Sequence, residues 1–418
     1  MKRHVIIGNS GAAINAAKAI RSVSADDEIT LVSREIGPAY SPVLITHYLS
    51  GHIPYEGLFF VDADFYRRNR LQLVSGRSAT RVDAARHVVE LDDGASIPYD
   101  DLLVATGSRS AVPRVPGVQG EGVLTLWTAE DARRMNDWAE RVNDVIVAGA
   151  GLIGLQVLEA MAQRGKRITL IELVDRVMPL ALDAGASALV KRRLEEAGVN
   201  LHLGDAVGRI DDDGGRKVVT LASGQQVAGD LVVMATGVRP NVDLAESAGL
   251  TVSRGIVVDE FTRTNVADIY AAGDVAEAPE MISGKTLINA TWFNAAEQGM
   301  VAGLNMAGVE TPYLRNARMN VSSIMGVTFA SAGLTDRANE GQDERCLESN
   351  GCYRKLIFDG ERLVGAVLVG DVEEIGVLAG LLRRPDQPLR LRASLDKSDG
   401  FAAVARMVAM GLGVRRLG

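Results

Sequence analysis

The segment DVIVAGAGLIGLQVLEAMAQRGKRITLIELVDR, residues 144–176, decides the fold. Val145 to Ala148 suit a buried strand, an amphipathic helix follows to about Arg164, and a second strand, Ile168 to Ile171, ends at Glu172. Between strand and helix the spacing is Gly-x-Gly-x-x-Gly, with Leu152 and Ile153 ahead of the last glycine. Gly149 permits a tight turn, Gly151 lets backbone approach a pyrophosphate, and Gly154 lets helix pack on strand. The helix N-terminus then turns unpaired N–H groups and a favourable dipole toward phosphate. Glu172, about 20 residues on, is placed to accept both ribose hydroxyls and to repel a 2′-phosphate, which favours NAD over NADP.

A second copy stands at the start of the chain. HVIIGNSGAAINAAKAI, residues 4–20, has Gly8, Asn9, Ser10, Gly11 and Ala12 where the other copy has its loop, with Ser10 for the middle glycine and Ala13 for the last. Both replacements are small, so the break is mild. EITLVSREI aligns on RITLIELVD, but the acid has moved: Ser33 takes the place of Glu172 and Glu35 follows two residues later. The echo continues in YDDLLVATGSR, with Thr106 and Gly107, and in AGDLVVMATGVRPN, with Thr236 and Gly237. Two units, each closing on Ala-Thr-Gly, imply two nucleotide sites; a duplication without a second ligand is the alternative.

Composition agrees with a glycine-rich α/β chain of two or three domains: 418 residues, 47% hydrophobic, 44 glycines. The 45 basic and 53 acidic residues give a net charge of −8, which argues against nucleic acid or an anionic membrane as partner. Cys346 and Cys352 are too few for a disulfide framework and have no metal-ligand spacing, so no metal is expected, and reduced thiols in the cytoplasm are. MKRHVIIG runs from its basic residues into the first strand without a signal-peptide pattern. The glycines of the 145–162 run make it strand, turn and helix rather than a membrane span.

At TNVADIYAAGDVAE, residues 264–277, the sequence resembles the second FAD motif of the pyridine-nucleotide-dependent flavoprotein reductases. The resemblance covers nearly the whole chain. It implies two Rossmann-like, glutathione-reductase-type nucleotide-binding domains and a C-terminal α+β interface domain. The implied boundaries are 1–118 with 242–319 for FAD, 119–241 for NAD, and 320–418 for the interface or dimerisation domain. Asp274 would hold a ribityl hydroxyl. Gly8, Asn9, Ser10, Gly11 and Ala12 would meet the pyrophosphate, Glu35 the adenosine ribose, and Ala79, Thr106 and Gly107 the rest of FAD. Gly149, Gly151, Leu152, Ile153, Gly154, Glu172 and Gly237 would bind NAD. INATWFNAAEQGMVAGLNMAG is similar to a family helix that sets its N-terminus and Trp292 near the isoalloxazine ring; a core tryptophan is the other reading.

The segment EIGPAYSPVLITHYLSGHI, residues 35–53, decides the branch. Disulfide and peroxide reductases of the family carry cysteine here, and this chain carries none, so thiol relay at the flavin is excluded. The stretch resembles reductases that feed ferredoxin, rubredoxin or a nitrite-reductase-type iron-sulfur partner, and the flavin subunits of multi-subunit aldehyde or 2-oxoacid oxidoreductases. Pro42 replaces an arginine common there, and His47 a lysine. His47 is either a cation or proton relay beside the flavin, or a half-buried structural histidine. Gln156 replaces a glutamate. The last hundred residues read as a β-meander with a turn at Asp359 and Gly360, then a helix, and the closing stretch from Arg392 as an amphipathic helix that packs on its own domain or on a partner.

The resemblance therefore implies an FAD enzyme exchanging hydride with NAD(H) and single electrons with an iron-sulfur protein, as a homodimer or as a subunit of a hetero-oligomer. Flavin suits this because it takes electrons in pairs and gives them singly. A free-standing NADH oxidase using oxygen or quinone, and a non-catalytic structural or signalling flavoprotein, are the alternatives.

Overall fold

The computed structural model describes residues 1–314 and 317–384. Two five-stranded parallel sheets carry it. In the first the order is Ile269–Ala271, Asp101–Val104, Arg3–Ile7, Glu28–Ser33, Leu71–Ser75. In the second it is Val123–Leu124, Leu231–Met234, Asp144–Ala148, Arg167–Glu172, Asn200–Leu203. Registers match as well: Arg3 sits opposite Glu28 as Asp144 sits opposite Arg167, which makes Ser33 the counterpart of Glu172.

Both faces of each sheet are covered, so its strands are apolar throughout rather than alternating. In the first sheet Val5, Ile7, Leu102 and Val104 enter one core cluster, while Ile6, Leu31 and Leu103 enter another with Ile14, Ala17 and Ile20 of the Gly11–Val23 helix. In the second, Val145, Val147, Leu170 and Val233 face one core, and Ile146, Ala148, Ile171 and Val232 the other. Each unit adds a three-stranded antiparallel sheet, at 79–98 and 207–229.

The chain passes between the units twice, and the two passages are bonded together. Ser108–Ser110 and Val238–Pro240 pair antiparallel just after the two Ala-Thr-Gly turns. Thr106 Oγ1 donates to the Asn241 carbonyl at 2.8 Å, and Thr236 Oγ1 donates to the Ala111 carbonyl at 2.5 Å. Each turn threonine thus fastens the opposite crossing.

The C-terminal unit is an antiparallel sheet in the order Met319–Ile324, Val327–Gly333, Arg362–Val369, Cys352–Asp359, Gln342–Ser349, with the Ile375–Leu382 helix packed on it. The expected turn at Asp359 and Gly360 is present, with Gly360 at φ +58°. The expected simple meander holds only for the last three strands. Val327–Gly333 pairs with Arg362–Val369 instead of with the strand that follows it. The amphipathic stretch from Arg392 lies outside the described residues.

A buried polar cluster ties this sheet to the second unit. The Tyr353 hydroxyl donates to Asp183 Oδ2 at 2.5 Å, and Lys355 Nζ donates to the same oxygen at 3.2 Å and to Asp336 at 2.9 Å. Burial alone would lower the Lys355 ammonium, but its bond to Asp336 and the charge of Asp183 outweigh burial and hold it above the usual lysine range. Asp183 also caps the Ala184–Glu196 helix. Nearby, the Met325 N–H donates to Glu159 at 2.7 Å and its carbonyl accepts from Arg193 at 3.0 Å. Among the described residues no helix is long and apolar enough to cross a membrane.

Candidate functional site

One cavity of about 1940 Å³ runs between the carboxyl ends of the two parallel sheets and is also lined by the C-terminal unit. Parallel sheets gather ligands at that edge, because the loops that leave the strands carry helix N-termini with unpaired N–H groups.

Both glycine loops form its walls. Gly8 and Gly149 have φ of +143° and +109°, and a Cβ on either would lie 2.2 Å from a carbonyl oxygen, of Ala105 and of Ala235. The equivalent turns are therefore locked to the strands that end in Ala-Thr-Gly. A Cβ on Gly151 would meet nothing within 4 Å, which explains how Ser10 fits at the same position of the first loop. Ser10 makes no side-chain cap bond, and neither the Gly11–Val23 nor the Leu152–Gln163 helix has an acid in its first turn. Both helix ends are free to meet phosphate.

Most residues expected at the cofactors line this cavity: Gly8 to Ala12, Glu35, Ala79, Thr106, Gly107, Asp274 and Trp292 on one side, and Gly149, Gly151, Leu152, Ile153, Glu172 and Gly237 on the other. Gly154 does not. It is buried, and a Cβ there would stand 1.9 Å from the Gly149 carbonyl, so its role is close packing beneath the loop. His47 is the larger correction. It lies exposed on the Ile45–Leu49 helix, its ring 6.1 Å from that of His52, and it is not on the cavity wall. This segment reaches the cavity only as far as Val43, through Glu35 to Pro38, Tyr40, Pro42 and Val43, because Ile45 and Leu49 turn into the core and the helix carries His47 to the opposite side.

Several side chains combine two tasks. Asp274 is half-buried; burial raises its carboxyl above the usual range, opposed by the Ser108 hydroxyl, which donates to Oδ2 at 2.7 Å. Glu172, 9% exposed, takes the Ala150 N–H on one oxygen at 2.6 Å and the Val174 N–H on the other at 2.9 Å, so it also shapes its own glycine loop. Glu35 accepts from the Tyr40 hydroxyl at 2.8 Å. The Asn9 side chain is occupied, its Nδ2 donating to the Gly37 carbonyl and its Oδ1 accepting from the Tyr66 hydroxyl.

Trp292 starts the Trp292–Met306 helix, and a Cβ on Gly11 would touch its ring at 3.1 Å. It also meets Phe60 edge to face, with centroids 5.1 Å apart. The half-buried ring therefore packs on the first glycine loop while lining the cavity. Gln298 Oε1 accepts the Gly273 N–H at 2.8 Å and so fixes the backbone ahead of Asp274.

The duplication reaches further than the glycine loops and the Ala-Thr-Gly turns. GRSATRVD at 76–83 and GDAVGRID at 204–211 occupy the same place in the two units, which makes Asp205 the counterpart of Arg77. Arg77 pairs with Asp93 at 2.9 Å; Asp205 accepts from the Ser223 hydroxyl at 2.5 Å, from the equivalent hairpin turn. Both Arg77 and Asp205 line the cavity. The aligned Gly-x-x-x-x-Arg-(Val/Ile)-Asp spacing was the sequence signal for them.

Residues 2–299 match the family model described as pyridine nucleotide-disulphide oxidoreductase, and 319–384 match the rubredoxin NAD+ reductase C-terminal domain. The chain is 32% identical, over 93% of its length and 94% of the relative's, to the epsilon subunit of an NADH-dependent phenylglyoxylate dehydrogenase of Aromatoleum evansii. It is 35% identical to rhodocoxin reductase of Rhodococcus erythropolis, over 86% of this chain and 84% of that one. In three dimensions it is similar to the ferredoxin reductase for the CYP199A2 system of Rhodopseudomonas palustris, with a TM-score of 0.83 at 27% identity, covering 90% of this chain and 93% of the other. With two glycine loops, a recessed Asp274 and helix ends free for phosphate around one cavity, the chain belongs to the pyridine nucleotide-disulphide oxidoreductases and is an FAD-containing oxidoreductase that binds NAD(H).

Proposed function

We propose that the chain moves a hydride between NAD(H) and FAD and exchanges single electrons with an iron-sulfur protein. The observation that carries this is the single cavity lined by both glycine loops with no cysteine on its wall. The names of the relatives support it: rhodocoxin reductase and the ferredoxin reductase are named for the partners they reduce, and the rubredoxin-reductase-type C-terminal domain contributes to the cavity wall.

The first loop, Gly8 to Ala12, holds the FAD pyrophosphate against the Gly11–Val23 helix. Asp274, with one oxygen fixed by Ser108, offers the other to a ribityl hydroxyl; Glu35 faces the ribose, and Ala79, Thr106 and Gly107 complete the wall. Bound FAD supplies the exchange between paired and single electrons. The second loop, with Gly149, Gly151, Leu152 and Ile153, holds the NAD pyrophosphate, and Glu172 and Gly237 frame the rest. Pro42, Val43, Leu152 and Ile153 add apolar surface to the cavity wall. The thiols Cys346 and Cys352 are free and suit a reducing cytoplasm, and the subunit status named for the Aromatoleum relative fits a role in a hetero-oligomer.

NADH-driven reduction of a rubredoxin and of a [2Fe–2S] ferredoxin, each followed spectroscopically beside oxygen consumption, tests the proposal. Reduction of one of them well above the rate of oxygen uptake is expected. Oxygen uptake as the only fast reaction would make the chain an NADH oxidase instead.

A further inference from the structure

The second unit carries two carboxylates at the adenosine end of its half of the cavity, and only Glu172 belongs to the usual dinucleotide pattern. Asp205 is the other. Its backbone N–H donates to the Glu172 carbonyl at 3.0 Å, which sets the two residues on neighbouring strand ends. Its carboxylate is held on three sides, by the N–H groups of Ala206 at 2.8 Å and Ser223 at 3.2 Å and by the Ser223 hydroxyl at 2.5 Å. These bonds fix the charge in place and keep its pKa below the usual aspartate range.

Among the described residues neither carboxylate has a salt-bridge partner, since every bond that Glu172 and Asp205 accept comes from a backbone N–H or a hydroxyl. The first unit lacks both negative charges and reverses the sign at one of the two places. Ser33 stands for Glu172 and Arg77 for Asp205, with Arg34 beside them on the cavity wall. Glu172 is nearly covered and already committed to its own loop, whereas Asp205 is half-buried, with more of its surface left open. A doubly charged group brought to this corner of the cavity meets two carboxylates that have no ion-pair partner among the described residues, the less covered of them Asp205.

We propose that Asp205 is a nucleotide-specificity residue: together with Glu172 it excludes the 2′-phosphate of NADP(H), while Glu172 mainly shapes the loop and receives the ribose. This rests on NAD(H) occupying the second glycine loop. Because the effect is repulsion of an added charge, it weakens with ionic strength; a structural role of Asp205 would not.

The test is equilibrium binding of NAD⁺ and NADP⁺ to the oxidised holoprotein by calorimetry, at about 0.02 M and about 0.5 M salt, where screening lengths differ several-fold. Asp205→Asn keeps the shape and removes the charge. It should narrow the ratio of NADP⁺ to NAD⁺ dissociation constants about threefold to tenfold at low salt, the range of partly exposed charge interactions, with NAD⁺ affinity nearly unchanged. At high salt most of the difference between variant and wild type should vanish. Ser223→Ala removes the anchor and keeps the charge, and should leave the ratio close to wild type. An unchanged ratio in Asp205→Asn, equal weakening of both nucleotides, or a Ser223→Ala effect as large as that of Asp205→Asn would overturn the proposal. Wild-type protein that binds no NAD⁺ would instead remove the nucleotide placement on which it rests.

Discussion

Gly299 lies against the backbone of Ala12: a Cβ built on Gly299 would stand 2.1 Å from the Ala12 carbonyl oxygen. One turn on, a Cβ on Gly303 would stand 2.4 Å from the Ala16 carbonyl. The Gly11–Val23 and Trp292–Met306 helices therefore cross backbone to backbone, and that contact brings both their N-termini to the same cavity wall.

Gly299→Ala weighs two opposing effects. Glycine to alanine in a free helix interior gains about 1 kcal/mol in propensity. Here the methyl group has no room, and prying two packed helices apart costs about 1–3 kcal/mol or more. The variant should melt lower than wild type and release FAD faster on dilution, read by thermal unfolding and by flavin fluorescence. Unchanged melting and unchanged FAD retention would show that the crossing does not set the flavin wall.

Asp274→Asn should separate stability from cofactor binding. Burial raises the folded-state carboxyl pKa of Asp274, with Ser108 opposing, so the FAD-free fold binds more protons there than the unfolded chain. That contribution is fully present below the ordinary aspartate pKa and is lost as pH rises through the raised value. At neutral pH the Asn variant should therefore melt higher than wild type when free of FAD, with the gap closing in acid. FAD affinity should fall at least about tenfold, the size expected for a lost hydrogen bond to a charged group. A variant with full FAD affinity would remove Asp274 from the flavin site.

Much of this arrangement is legible in the sequence because it rests on local spacing. The two glycine loops, the Ala-Thr-Gly turns and Asp274 each combine a strand with a short turn, and short turns leave little freedom for where the next residue goes. His47 was not legible: whether a residue of a short helix faces cavity or solvent depends on which neighbours the core takes, here Ile45 and Leu49. The cluster of Asp183, Tyr353, Lys355 and Asp336 joins residues far apart in the chain, and no periodicity announces it. The close helix crossing rests on Gly299 and Gly303, and only the structure names Ala12 and Ala16 as what those glycines touch.

The central claim is that electrons pass between NADH and a one-electron acceptor without a thiol. Cys346 is exposed, Cys352 is half-buried, and both lie in the C-terminal sheet away from the cavity wall. The most direct measurement is therefore NADH-dependent reduction of ferricyanide and of a rubredoxin by the FAD-loaded Cys346→Ser, Cys352→Ser double variant. The account predicts rates nearly equal to wild type with both acceptors. A folded, FAD-loaded variant that reduces neither would contradict it and restore a thiol relay.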